Sequence, residues 1–183
     1  MRNSTKLAFS GVISALALAI MWLGNFDIST FFLPTVAGMA ISIVYLEIDG
    51  KSAWSSFLTV SLLSLILTQQ REVLFLFIFF YGYYPILKLI LEKKLLNSQI
   101  KKITVTIIKF IVFNIGTVLT YTMYFFMFGL DPDMFTIFGV SLPWLFLILN
   151  NLIFILYDVL LNQFFAIYKS RLHKHVARYI RKK

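Results

Sequence analysis

The chain has 183 residues, 60% of them hydrophobic and only 14% charged, with a net charge of +9 and a mean hydropathy of +0.85. A soluble domain is about 45–50% apolar and about one quarter charged, so a soluble domain is excluded, and twenty Phe and nine Tyr against four Pro exclude a disordered chain. No Cys and only two His, both near the C-terminus, leave no parts for disulfides, thiolate chemistry or a His-based metal site, and no cofactor is expected.

Apolar runs bounded by charge predict six spans, each long enough or nearly so to cross about 30 Å of hydrocarbon at about 1.5 Å per residue. The first covers residues 7–24 behind Arg2 and Lys6. It outruns the apolar stretch of a signal peptide, and Met21, Trp22, Leu23 and Gly24 offer no small-x-small cleavage site, so it reads as a retained helix. Ala8, Gly11, Ala15 and Ala19 share one of its faces. Small residues let a second helix approach closely. That face either packs inside the bundle or docks another subunit through Gly11, Ala15 and Ala19.

The second span covers 31–46 and the third 53–68; the latter carries Ser55, Ser56, Ser61 and Ser64, tolerable where other helices cover them. The fourth, 73–91, holds Tyr81, Gly82, Tyr83 and Tyr84 ahead of a kink at Pro85. The fifth, about 103–128, contains Lys109, Thr117, Thr120, Tyr121 and Tyr124. Residues 129–140 follow, with Asp131 as N-cap, Pro132 in the first turn, and Met134, Phe135, Ile137 and Phe138 as the apolar face of a short interfacial helix.

The sixth span, about 142–168, has a stripe: Trp144, Asn151 and Asp158 at intervals of seven, continued by Asn162 and Phe165, with Asn150 beside it. Asp158 is an acidic residue deep in a span, where carboxylates face protein or water and have a partner. Lys109 lies about 9 Å and Asp158 about 13 Å from the same side, which predicts an intramembrane Lys109–Asp158 pair, a tether rather than a proton relay. Trp144, Asn150, Asn151, Thr117, Thr120, Tyr121, Tyr124 and Tyr81 supply the amides, hydroxyls and rings of a small-molecule pocket. The basic tail, 169–183, repeats Leu172, Val176 and Ile180 as one apolar stripe, suited to anionic lipid headgroups.

Six spans put both termini on one side, which collects the Lys and Arg residues; the other side receives Arg71 with Asp27, Glu72, Asp131 and Asp133. By the positive-inside rule both termini are cytoplasmic, in a cell membrane. Lys88 and Lys109 lie near the basic face and can snorkel to it. The positive charge thus needs no nucleic acid. A phosphate-binding loop, a nucleophile elbow, a zinc-protease motif and paired intramembrane carboxylates are all missing, so no enzyme is expected. The fold class is an all-α bundle of six transmembrane helices in a single domain.

The start Ser4-Thr5-Lys6-Leu7-Ala8, followed by Ser14-Ala15-Leu16-Ala17-Leu18-Ala19, resembles the N-terminus of the S components, the membrane-embedded substrate-binding subunits of energy-coupling factor transporters. Length, six spans, inside termini and basic tail are similar along the whole chain. The resemblance implies that Ala15 and Ala19, extended by Gly11, contact a transmembrane coupling subunit linked to cytosolic ATPases. It implies an outward pocket for a vitamin-like micronutrient and a bundle that topples to release it. The alternative is a scaffold of a membrane assembly, such as the cell-wall elongation machinery. An outward pocket of about 300 Å³ or more favours the binding subunit, and a bundle solid to its rim favours the scaffold.

Overall fold

The computed structural model describes residues 3–26, 29–97, 101–128, 136–137 and 140–181. The chain is all-α: α1 (Asn3–Trp22, prolonged by a tight turn Leu23–Phe26), α2 (Phe32–Glu47), α3 (Gly50–Leu67), α4 (Arg71–Leu76), α5 (Tyr84–Leu96), α6 (Lys102–Phe128), α7 (Leu142–Ile167) and α8 (His173–Arg181). A widened turn, Phe77–Tyr81, joins α4 to α5, and a second, Tyr168–Leu172, joins α7 to α8.

Counting α4 and α5 as one rod, six helices among the described residues make the bundle, and five of them are long and apolar enough to cross a membrane: Asn3–Phe26, Gly50–Leu67, Arg71–Leu96, Lys102–Met127 and Leu147–Val176. The sixth, α2, has 16 residues and rises only about 24 Å at 1.5 Å per residue. Its surroundings explain how so short a helix fits. It packs against α1, α3, α4, α5 and α8, and Leu33, Ala37, Gly38, Ile41, Ser42 and Val44 are buried. A helix sheathed by others need not match the lipid thickness by itself.

Two cores lie on opposite sides of α2. One joins Ala17 and Met21 of α1 to Ala40 and Ile41 of α2, Phe57 and Val60 of α3, and Val73 and Phe77. The other is aromatic, with Phe80, Tyr81, Tyr84, Phe113, Phe154 and Tyr157 around Met39. The outer faces are apolar instead of charged: Ile103, Ile107, Ile111 and Ile115 on α6, and Ile148, Leu152, Ile155 and Leu156 on α7, are exposed. Such surfaces suit lipid and not water. The serines of α3 are largely covered, Ser56, Ser61 and Ser64 being buried.

Both ends of the chain lie at one end of the bundle. Lys6 Nζ of α1 is 3.0 Å from Asp49 Oδ2 in the α2–α3 turn, and the Tyr168 hydroxyl donates to Glu47 Oε1 at 2.7 Å. His173 Nδ1 lies 2.7 Å from the same oxygen, whose side chain is 3% exposed. The tail is therefore pinned to the end of α2. Of its expected apolar stripe, Leu172 is exposed and Val176 half-buried, while the Ile180 side chain lies outside the described residues.

Three expectations change. Lys88 and Lys109 do not snorkel; their side chains are 0% and 11% exposed, turned inward among polar partners. Asn162 is exposed, because the inward face of α7 runs through Phe154, Tyr157, Leu161 and Phe165 instead. The interfacial helix gives way, in the described part, to a two-stranded antiparallel ribbon pairing Thr136–Ile137 (β1) with Val140–Ser141 (β2). The pairs Thr136–Ser141 and Ile137–Val140 satisfy backbone groups that an isolated single-turn helix would leave open. Asp131, Met134, Phe135 and Phe138 lie outside the described residues.

Candidate functional site

The rod α4–α5 carries the main irregularity of the bundle. Between Phe77 and Tyr81 the turn is one residue wider than α-helical, and the Gly82 N–H donates to the Phe77 carbonyl at 2.8 Å. The break comes before Pro85, which sits in the first turn of α5, where its missing N–H leaves no bond unmade. Two glycines on neighbouring helices make room for this turn. A Cβ on Gly38 of α2 would stand 1.9 Å from the Tyr81 carbonyl oxygen, and one on Gly116 of α6 would stand 2.4 Å from that of Phe79. Only hydrogen in place of a side chain permits either approach. Widened turns of this kind re-aim side chains and recur at functional sites.

Here they aim Phe80 and Tyr81 into a cavity of about 170 Å³ at the end of the bundle opposite the chain termini. Glu72 and Leu76 of α4 continue its wall, and Thr30 and Phe31 at the start of α2 close one side. From α6 come Phe113, Thr117, Thr120 and Tyr121, and from α7 Asn150. The Asn150 amide donates to the Tyr121 hydroxyl at 2.8 Å, and the Thr120 hydroxyl donates to the Gly116 carbonyl at 2.8 Å. Tyr81, Thr117, Thr120, Tyr121 and Asn150 thus share one cavity. Asn151 does not join them: its amide and that of Asn114 donate to each other at 3.0 Å, locking α6 to α7. The side chains of Trp144 and Tyr124 lie outside the described residues. The volume is well below about 300 Å³, so a ligand here has to be compact.

Beneath the cavity the aromatic core forms a floor. Phe80 meets Phe113 at 4.8 Å and Tyr84 at 5.0 Å between centroids, and Phe113 stacks on Phe154 at 4.5 Å. Below that floor four charges close a ring. Lys88 Nζ is 2.6 Å from Asp158 Oδ1 and 3.1 Å from Glu92 Oε1; Lys109 Nζ is 3.2 Å and 3.0 Å from the same two atoms. The Tyr84 hydroxyl donates to Asp158 Oδ1 at 2.6 Å, and Lys88 also donates to the Asp158 carbonyl at 3.0 Å. Two cations alternate with two carboxylates and no net charge remains. That is how ionised groups persist away from water. The ring ties α5, α6 and α7 together. Depth along the helices pairs Lys109 with Asp158 but does not bring in Lys88 and Glu92. Their i,i+4 spacing on α5 is the signal that could have found them.

At the other end, α1 buries Ala17 and Met21 and leaves Gly11, Ala15 and Ala19 exposed. A Cβ on Gly11 would meet nothing within 4 Å. Among the described residues this face is left largely uncovered. Gly11 and Ala15 open onto a groove of about 730 Å³ between α1 and α3, with Ser52, Ser55, Ser56 and Thr59 opposite. Lys6 and Asp49 stand at its mouth. Asp49 caps α3 by accepting the Ser52 N–H at 2.8 Å. That bond, with Lys6 second, lowers its pKa to about 2. A depressed carboxylate adds stability that is complete above its ordinary range near about pH 4 and disappears as pH falls through about 2. Asp49→Ala should therefore cost about 1 kcal/mol at neutral pH, the usual loss of an N-cap. The gap in thermal midpoint from wild type, measured in micelles, should narrow steadily between about pH 4 and about pH 2.

Comparison with protein-family models, with curated proteins and with solved structures finds no match to this chain.

Proposed function

We propose that this polytopic membrane protein is a substrate-binding subunit for uptake of a compact micronutrient and is not an enzyme. It would work with a separate transmembrane coupling protein and cytosolic ATPases, as in the S components its N-terminus resembles. The observation that carries this is the cavity beside the widened turn, where rings, hydroxyls and an amide converge. Its floor of packed aromatics supports access from one end only. The shared position of both chain ends, next to Lys6, Lys93, Lys94 and the basic tail, supports a cytoplasmic location for them. The cavity then faces outward.

Mass spectrometry of small molecules retained by the gently purified protein tests the uptake role. A stoichiometric ligand is expected, and an empty protein with no copurifying ATPase would count decisively against it. The second reading is the non-transporting scaffold, favoured by one observation: the cavity falls short of the usual ligand-pocket range of about 300 Å³ upwards. Both readings use the uncovered face of α1. Replacing Ala15 and Ala19 together by Leu should abolish copurification of the membrane partner, because close backbone approach is lost. The same variant should keep its expression and thermal midpoint, since Ala15 and Ala19 are exposed. Undiminished copurification would place docking elsewhere.

A further inference from the structure

Three polar groups on the cavity wall have bonding capacity to spare. Along α6, Thr106, Thr120 and Thr122 each return the hydroxyl to the carbonyl four residues back, at 3.2, 2.8 and 2.8 Å. Thr117 does not: it is 8% exposed, lines the cavity and makes no side-chain hydrogen bond among the described residues. Tyr81, 6% exposed, likewise brings an unbonded hydroxyl to the wall. Asn150 spends an amide N–H on the Tyr121 hydroxyl, which leaves its carbonyl oxygen open. Polar groups buried to this degree are ordinarily bonded, and an unmade bond carries its full desolvation cost. Two O–H donors and one carbonyl acceptor thus call for a molecule that complements each. The rings of Phe31, Phe80 and Phe113 add flat apolar surface around them. Charge sets a second limit. No Lys, Arg or His is among the described lining residues, and the acid among them, Glu72, already has a partner. An ion entering would lose its water and gain no open counter-charge. Size sets the third, because a cavity of about 150 Å³ accommodates benzene, and this one measures about 170 Å³.

We infer that the cavity binds a neutral, planar, single-ring molecule carrying an amide group: the amide carbonyl accepts from the Thr117 and Tyr81 hydroxyls, its N–H donates to the Asn150 carbonyl oxygen, and the ring lies among the phenylalanines. This rests on the cavity being the ligand site proposed above.

The test uses four probes of one shape on the full-length protein in nanodiscs, with empty nanodiscs as the blank: benzamide, acetophenone, benzamidinium and benzoate, each titrated by calorimetry. Acetophenone keeps the carbonyl of benzamide and lacks its N–H donors, while the other two are its cationic and anionic counterparts. Benzamide should bind at least about tenfold more tightly than acetophenone, the factor expected when a buried acceptor is left without its donor, and both ions should bind more weakly still. Thr117→Val keeps the side-chain shape without the hydroxyl and should weaken benzamide about tenfold. Should that variant fail to fold, the probe series on the wild-type protein decides by itself. Equal binding of benzamide and acetophenone, tighter binding of either ion, or a folded Thr117→Val with full benzamide affinity would overturn the amide assignment while leaving the cavity a ligand site. No binding of any of the four would overturn the ligand site itself along with the amide.

Discussion

Asp158→Ala should lower the stability of the bundle by about 3–5 kcal/mol, the loss that follows when one partner of a buried ionic network is removed. The reason lies in the closed ring. With Asp158 gone, Lys88 and Lys109 share Glu92 alone, and one positive charge is left uncompensated beside the Tyr84 hydroxyl, which also loses its acceptor. Lys88 has no route to water, being fully buried. Against a total stability of about 5–15 kcal/mol, the variant should show a large fall in thermal midpoint by tryptophan fluorescence in micelles. Lys88→Met combined with Asp158→Leu should recover most of the loss, since it removes one cation and one anion and leaves Lys109 paired with Glu92. An Asp158→Ala protein as stable as wild type would show that the ring holds nothing together. Normal stability with lost ligand uptake would instead give Asp158 a direct part in the proposed transport.

Gly38→Ala carries the second large effect and contrasts with the same change elsewhere. The added methyl carbon would overlap the Tyr81 carbonyl oxygen at 1.9 Å and its carbon at 2.8 Å. These are backbone atoms and cannot rotate aside. Relief requires α2 to retreat from the widened turn, opening the aromatic core and deforming the cavity wall at Phe80 and Tyr81. Overpacking costs about 1–3 kcal/mol and more where backbone must move, which outweighs the gain of about 1 kcal/mol in helix propensity from Gly to Ala. Gly116→Ala, 2.4 Å from the Phe79 oxygen, should act in the same direction. Gly11→Ala is the internal control: with nothing within 4 Å, only the propensity gain applies, and the protein should be unchanged or slightly stabilised. Equal thermal midpoints for all three variants would rule out the clamp on the turn.

How far the sequence could be read depended on the kind of interaction. The Lys109–Asp158 proximity was legible because depth in a helix is simply a count of residues, and an intramembrane carboxylate requires a partner. Lys88 was misplaced for a related reason. Position along the rod put it near the basic end, but whether its side chain points to the interface or inward depends on the rotation of α5, which the apolar pattern of that helix does not reveal. In a membrane the lipid face and the protein face are both apolar, so hydrophobic periodicity loses the contrast that orients a helix in a soluble protein. The same ambiguity hid Asn162 on the outside of α7 and left the small face of α1 open to two readings.

The widened turn was visible only as a run of aromatics before a proline. Its cause is tertiary: Gly38 and Gly116, distant in sequence, accept the carbonyls it pushes outward. Asn151 lost its place in the pocket to Asn114, a partner that spacing within α7 could not name. Glu72, at the start of a span and outside any apolar stripe, gave no signal until α2, α4, α6 and α7 met around it.

By itself, then, the sequence determined an all-helical chain of lipid-crossing rods and the end at which basic residues gather, because transfer of residues from water to hydrocarbon depends on composition and length alone. Tertiary structure decided which polar groups meet, where the cavity opens and which face of α1 stays bare. Those outcomes depend on helix rotation and close approach, and in lipid both are fixed by packing between helices and not by burial from water.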